Sequence, residues 1–236
     1  MSETRSVVVT GGNRGIGRMV CEWFRAAGHN VASFDLGGEP PDGVLGVTCD
    51  VTKSSEVDAA FKQAEETNGP VQILVANAGI TKDTLIMRMS DDEWQAVLNV
   101  NLTGAFHVAK RAVRSMLRAR WGRIVFTGSV VGLYGGPGQV NYSSTKAALV
   151  GMARSLTREV GSRGITANVV APGFIDTDMT AVLPPETVAK YLELIPAARL
   201  GRPEEVAAAI AFLASDDAAF ISGAVLPVDG GLGMGH

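Results

Sequence analysis

Seven short apolar, β-branched runs, set apart by helical patterns, constrain the fold of this 236-residue chain more than any other feature. Ser6–Thr10, Asn30–Asp35, Leu45–Cys49, Gln72–Ala76, Arg123–Thr127, Thr166–Ala171 and Ala224–Val228 read as strands. Helical patterns fall at 15–27, 54–67, 90–119, 140–161 and 203–214. Runs such as ILVA and ANVVA are apolar without alternation, as strands covered on both faces must be. The pattern therefore predicts an α/β fold, with a parallel sheet wrapped by helices through right-handed crossovers. Two helix starts are legible. Ser90 and Glu93 fit a capping box, and Pro203 stands in a first turn, where its missing N–H is harmless.

No repeat, low-complexity tract or linker interrupts the chain, so one domain over 1–236 is expected. Its 46% hydrophobic content suffices for one sizeable core. The segment 173–200, with Pro184, Pro185 and Pro196, follows a strand end and reads as a substrate lid. A net charge of −3 gives no general pull toward nucleic acid or anionic membrane. No apolar run approaches the roughly 20 residues of a membrane span. The N-terminus enters a strand at once and leaves no room for a signal peptide. Cys21 and Cys49 are too few for a disulfide framework and read as inert packing in a reducing compartment. A cytoplasmic location follows as the expectation. His29, His107 and His236 have no metal-ligand spacing, so no metal is expected.

The stretch TGGNRGIG (Thr10–Gly17) joins the first strand to the first helix. Gly11, Gly15 and Gly17 permit a tight turn and close backbone approach to a pyrophosphate, which the helix N-terminus then stabilises. Asp35 ends the second strand, where a carboxylate accepts both adenosine ribose hydroxyls and repels a 2′-phosphate, favouring NAD(H). Arg14, within the turn, favours NADP(H) by offering that phosphate a cation, or pairs with Asp35 as a surface salt bridge. The two residues point to different cofactors.

Tyr142 and Lys146 stand at i and i+4 on one helix face. Ser129 follows the strand RIVFT, and the loop after it can return its hydroxyl to the phenol. A tyrosine ordinarily titrates at about 10. A neighbouring ammonium and a positive oxidised nicotinamide favour phenolate, which lowers that value and suits acid–base work near neutral pH.

With TGGNRGIG at 10–17, NAG at 77–79, Asn101 in NVNLTG, Ser129, YSSTK at 142–146 and PG at 172–173, the chain resembles the short-chain dehydrogenase/reductase family end to end. Within it, the stretches CDVT, GRIVFTGSVVG, SRGITANVVAPGFIDTDMT and ISGAVLPVDGG most resemble 3-oxoacyl-ACP reductases. The resemblance implies a Rossmann-type doubly wound sheet of seven parallel strands, order 3-2-1-4-5-6-7. It implies Tyr142 as general acid/base and Lys146 as the group that lowers its pKa and holds the nicotinamide ribose. Ser129 would orient the substrate carbonyl, and Asn101 would support a proton-relaying water. Cofactor contacts are implied for Gly11, Asn13, Arg14, Gly15, Ile16, Gly17, Asp35, Asp50, Val51, Asn77, Ala78, Gly79, Tyr142, Lys146, Pro172, Gly173, Ile175 and Thr177. Among these, Asp50 would bond the adenine amine and Asn77 would border its ribose. The implied reaction is NAD(P)H-dependent reduction of a 3-oxoacyl thioester on acyl carrier protein in fatty-acid biosynthesis, by a homotetramer. A dehydrogenase acting on another ketone or alcohol, and a dinucleotide-sensing regulator, are the alternatives.

From Trp94 to Arg158 the chain has no acidic residue but nine basic ones: Lys110, Arg111, Arg114, Arg118, Arg120, Arg123, Lys146, Arg154 and Arg158. Cations near a helix C-terminus complement its dipole. The sharper reading is a basic rim steering an acidic carrier protein. The resemblance places its docking at Arg120 and Arg163.

Overall fold

Strands β1 (Ser6–Thr10), β2 (Asn30–Asp35), β3 (Leu45–Thr48), β4 (Ile73–Ala76), β5 (Gly122–Thr127), β6 (Ile165–Pro172) and β7 (Val225–Val228) pair side by side in the order β3-β2-β1-β4-β5-β6-β7. Every pairing is parallel, as expected from the apolar runs. The structure is a computed structural model describing residues 3–177, 180 and 185–234. Helices α1 (Gly15–Ala26) and α8 (Pro203–Leu213) cover one face of the sheet. Helices α2 (Ser54–Asn68), α4 (Ala105–Ala119) and α6 (Val140–Val160) cover the other. β1 shows why its run has no polar alternation. Val8 faces one core, while Val7 and Val9 face the other, and all three are fully buried. Each contributes about 1.5–3 kcal/mol by leaving water.

The strand order reverses at β1, which lies between β2 and β4. A crevice therefore opens beyond the carboxyl ends of β1 and β4, the place where open α/β sheets hold ligands.

Two local expectations change. The predicted helix over 90–119 is divided into α3 (Asp91–Leu98), a π-helical segment Asn99–Gly104, and α4. The capping box at Ser90 and Glu93 is present. The wide turn follows from tertiary contacts: Gly104 presses on Val51, where a Cβ would lie 2.6 Å from Cγ2. Asn101, inside the segment, is bonded to the backbone of Ile80. Such π insertions cluster at functional sites.

The predicted lid contains a helix, α7 (Pro185–Leu194), while residues 178, 179 and 181–184 of that segment, Pro184 included, lie outside the described residues, as does His236. The helix is tied down where it is described. Tyr191 stacks on Phe174 at 3.6 Å between ring centroids, and the Ala197 N–H donates to the Gly230 carbonyl at 3.0 Å. A short helix, α5 (Val131–Tyr134), was not evident in the loop after Ser129.

Cys21 and Cys49 are buried and unpaired, and burial pushes both thiols up to about 12. Among the described residues no helix is long and apolar enough to cross a membrane.

Candidate active site

The glycine turn sits at the crevice. Gly11 (φ 65°) and Gly15 (φ 52°) adopt left-handed backbone that favours glycine. A Cβ at Gly11 would come within 3.1 Å of the Ala78 Cα. A Cβ at Gly17 would lie 2.0 Å from the Gly11 carbonyl oxygen, so this glycine allows α1 to pack directly on the turn. Arg14 is the N-cap of α1 and makes no side-chain cap, and the first turn holds no acidic residue. The amide groups there are left for an anion, which fits a pyrophosphate.

A cavity of about 570 Å³ extends from this turn. Of the expected residues it is lined by Gly11, Arg14, Gly15, Ile16, Asp35, Asp50, Val51, Asn77, Ala78, Gly79, Ser129, Tyr142, Lys146, Pro172, Gly173, Ile175 and Thr177. Asn13, Gly17 and Asn101 stand behind that lining. Asn13 braces the turn through its amide, donating to the Gly37 and Gly38 carbonyls. Thr180, Thr81, Leu36 and Val100 also line the cavity and carry no local sequence signal.

At the adenosine end, both oxygens of Asp35 accept backbone N–H groups, Oδ2 from Asn13 at 3.2 Å and Oδ1 from Leu36 at 2.8 Å. The carboxylate is thus fixed against the cavity. No ion pair joins it to Arg14 among the described residues, so the proposed surface bridge is absent. Asp50 Oδ1 accepts the Thr52 N–H and hydroxyl, and these bonds hold its carboxyl below the usual range. The Asn77 amide is turned inward and donates to the Thr10 and Gly11 carbonyls, so it braces the glycine turn as well as lining the cavity.

At the other end Ser129, following β5, lines the cavity beside Tyr142, and its hydroxyl accepts the Val131 N–H at 3.4 Å. The Lys146 side chain is buried and its ammonium donates to the Thr127 carbonyl at 2.7 Å, with Nζ 5.4 Å from the Tyr142 ring centroid. Burial brings Lys146 down to about 8. For Tyr142 the expected direction is reversed. Burial pushes the phenol up to about 12 and Asp83 adds to this, while the Ser129 hydroxyl opposes it. In the chain by itself, loss of water around the phenolate outweighs the ammonium one turn away. Asn101 Oδ1 accepts the Ile80 N–H at 2.8 Å. A Cβ at Gly79 would lie 3.3 Å from that oxygen and 3.5 Å from Lys146 Nζ, so glycine keeps the space between them open.

The basic run divides by environment. Arg111 pairs with Glu65 at 2.6 Å and Arg114 with Asp58 at 3.7 Å. Arg123, 3% exposed, donates to the Ser215, Gly122 and Gly164 carbonyls and lies over Trp121. With Lys146 in the cavity, three of the nine cations, Arg111, Arg123 and Lys146, are committed inside the fold, while Arg114 stays exposed beside Asp58. Arg120 and Arg163 are exposed and neighbour one another at the amino ends of β5 and β6. Ser129 and Tyr142 follow the carboxyl end of β5, roughly 20 Å of strand away.

The family model described as enoyl-(acyl carrier protein) reductase matches residues 11–233. The 3-oxoacyl-[acyl-carrier-protein] reductase MabA of Mycobacterium avium is 54% identical over 233 residues, covering 99% of this chain and 91% of that protein. The MabA reductase of Mycobacterium tuberculosis (strain H37Rv) is also 54% identical, with 99% and 94% covered. The 3-oxoacyl-[acyl-carrier-protein] reductase FabG of Escherichia coli (strain K12) is 45% identical over 240 residues, with 98% of each chain covered. With the seven-stranded parallel sheet, the glycine turn and this similarity over nearly its whole length, the chain belongs to the short-chain dehydrogenase/reductase family.

Proposed function

We propose that this chain reduces the keto group of a 3-oxoacyl thioester, carried on acyl carrier protein, to the 3-hydroxyacyl thioester in fatty-acid biosynthesis. The observation that carries the reading is that Ser129 and Tyr142 converge beside the buried Lys146 on the lining of one cavity, which begins at a pyrophosphate-fitting turn. Two hydroxyls that share one point suit a carbonyl oxygen that gains charge during reaction. That favours a ketone over the carbon–carbon double bond named in the family model's description. The relatives' names favour the same substrate.

A reduced nicotinamide dinucleotide, when bound, supplies the hydride. Gly11, Arg14 and Gly15 would hold its phosphates, with Asp35 and Asp50 at the adenosine end and Tyr142 and Lys146 beside the nicotinamide ribose. Ser129 donates to the substrate oxygen and fixes it against Tyr142, which gives that oxygen its proton. Lys146 keeps a positive charge below about pH 8 and favours the phenolate left behind. Asn101 holds the Ile80 peptide and so the wall beside Lys146.

We infer NAD(H) rather than NADP(H), because Asp35 is fixed by two backbone amides while Arg14 is exposed and has no such anchor. For Arg120 and Arg163 to dock a carrier protein, the cleft they serve must belong to a second copy, since the sheet separates them from their own Tyr142. This ties the docking reading to an oligomer, for which the homotetramer implied by the family resemblance is the expected form.

The test is oxidation of NADH and NADPH with acetoacetyl thioesters by the wild type and Tyr142→Phe. Turnover that falls by about 10³ or more in the variant, with dinucleotide still bound, supports the reading. A chain that binds dinucleotide but reduces no thioester or ketone would instead be a sensor.

A further inference from the structure

We infer that Asn141 is a positioning residue for Tyr142, which it registers against the cavity wall through the carbonyl of Lys82. This rests on the reading of Tyr142 as the proton donor. Asn141 is 0% exposed although it directly precedes that residue at the start of α6. Its two amide atoms do different work. Oδ1 accepts the Tyr142 N–H at 2.7 Å, and Nδ2 donates to the Lys82 carbonyl at 3.0 Å. The N-cap of α6, Gln139, makes no side-chain cap, so Asn141 supplies the acceptor that a helix's first-turn N–H otherwise lacks.

A second relay grips the same residue through its carbonyl. Thr145 donates its hydroxyl to the Tyr142 carbonyl at 2.7 Å and accepts from Asn101 Nδ2 at 3.3 Å. Asn101 in turn holds both the N–H and the carbonyl of Ile80. The N–H and the C=O of Tyr142 are thus each connected by one buried side chain or two to residues 80–82. That segment continues from β4, and Ile80 and Thr81 line the cavity. It also reaches the loop ahead of α6, since the Thr84 N–H donates to the Gly138 carbonyl at 2.8 Å. The phenol is therefore registered to the wall that faces the dinucleotide, not merely to its own helix. A buried network of this kind holds one geometry because every alternative leaves a polar group unpaired. Misplacing a reacting group by about 1 Å costs on the order of 10² in rate.

Three variants test this, read by kcat, KM, dinucleotide affinity from fluorescence titration, and thermal midpoint. Asn141→Ala removes both contacts. Asn141→Asp keeps the acceptor for the Tyr142 N–H but sets a carboxylate oxygen against the Lys82 carbonyl. Thr145→Val cuts the second relay and serves if Asn141→Ala does not fold. The expected result is a kcat reduced about 30- to 100-fold in both Asn141 variants, with dinucleotide affinity and KM within about threefold of wild type. Three results overturn the inference: an unchanged kcat, a parallel fall of kcat, affinity and thermal midpoint, or full recovery by Asn141→Asp, which would reduce Asn141 to a helix cap. Tyr142→Phe is run alongside. If it keeps full turnover, the proton-donor reading fails and this inference with it. If it is inactive while the Asn141 variants are not, only the positioning role is lost.

Discussion

Gly132 meets Lys146 so closely that a Cβ built on it would stand 2.9 Å from the lysine's carbonyl carbon and 2.9 Å from its Cβ. The neighbour is helix backbone, which cannot swing aside. Gly132→Ala must therefore push α5 away from α6 or displace Lys146. Overpacking of this kind costs about 1–3 kcal/mol. We expect a lower thermal midpoint and a kcat reduced about 10- to 100-fold, because the ammonium is carried with the backbone. Calorimetry and steady-state assay check both, and a variant with full activity would show that the contact does not position Lys146.

Asp35 should set the nucleotide. Its carboxylate is held by the Asn13 and Leu36 amides and cannot turn away from a 2′-phosphate. Like charges brought together cost several kcal/mol. Asp35→Ala is expected to shift the ratio of kcat/KM for NADH over that for NADPH by about 100-fold toward NADPH, with Arg14 then free to take the phosphate. An unchanged ratio would assign the choice elsewhere.

Lys146 gives a pH signature. Burial lowers it from 10.5 to about 8. Between those values the unfolded chain binds the proton more tightly, so stability rises with pH across that window. Lys146→Met lacks the titration. Urea unfolding at about pH 7 and about pH 10 should show the wild type gaining on the variant by on the order of 2 kcal/mol. Curves that move in parallel would mean that the ammonium is better solvated than its position implies.

Charge reversal at Arg120 and Arg163 separates carrier docking from chemistry. Arg120→Glu with Arg163→Glu is expected to raise KM for an acyl-carrier thioester by about 10-fold or more, with small-ketone turnover unchanged and the effect weakening as salt is added. An equal loss on both substrates removes the docking role.

Much of this protein was legible along the chain. Continuous apolar runs must be covered on both sides, so the strands and their parallel packing followed from runs such as Val7–Val9 and ILVA, with ends displaced by a residue at most. Gly11 and Gly15 had to be glycine for a tight turn, and that requirement is local. The spacing of Tyr142 and Lys146 on one helical face was equally so. These features depend on a residue and its near neighbours.

Tertiary structure decided what depends on distant partners. The π-helical turn at Asn101 exists because Val51 and Ile80, far away in sequence, press on it and hold it. Arg123 looks like one more cation in a basic run, yet carbonyls at 164 and 215 allow it to be buried. The direction of the Tyr142 shift is the plainest case. Spacing supplied the ammonium, but only the residues that the fold packs around the phenol made loss of water the larger effect. The sequence states which groups are near along a helix, and the fold sets how much water each of them keeps.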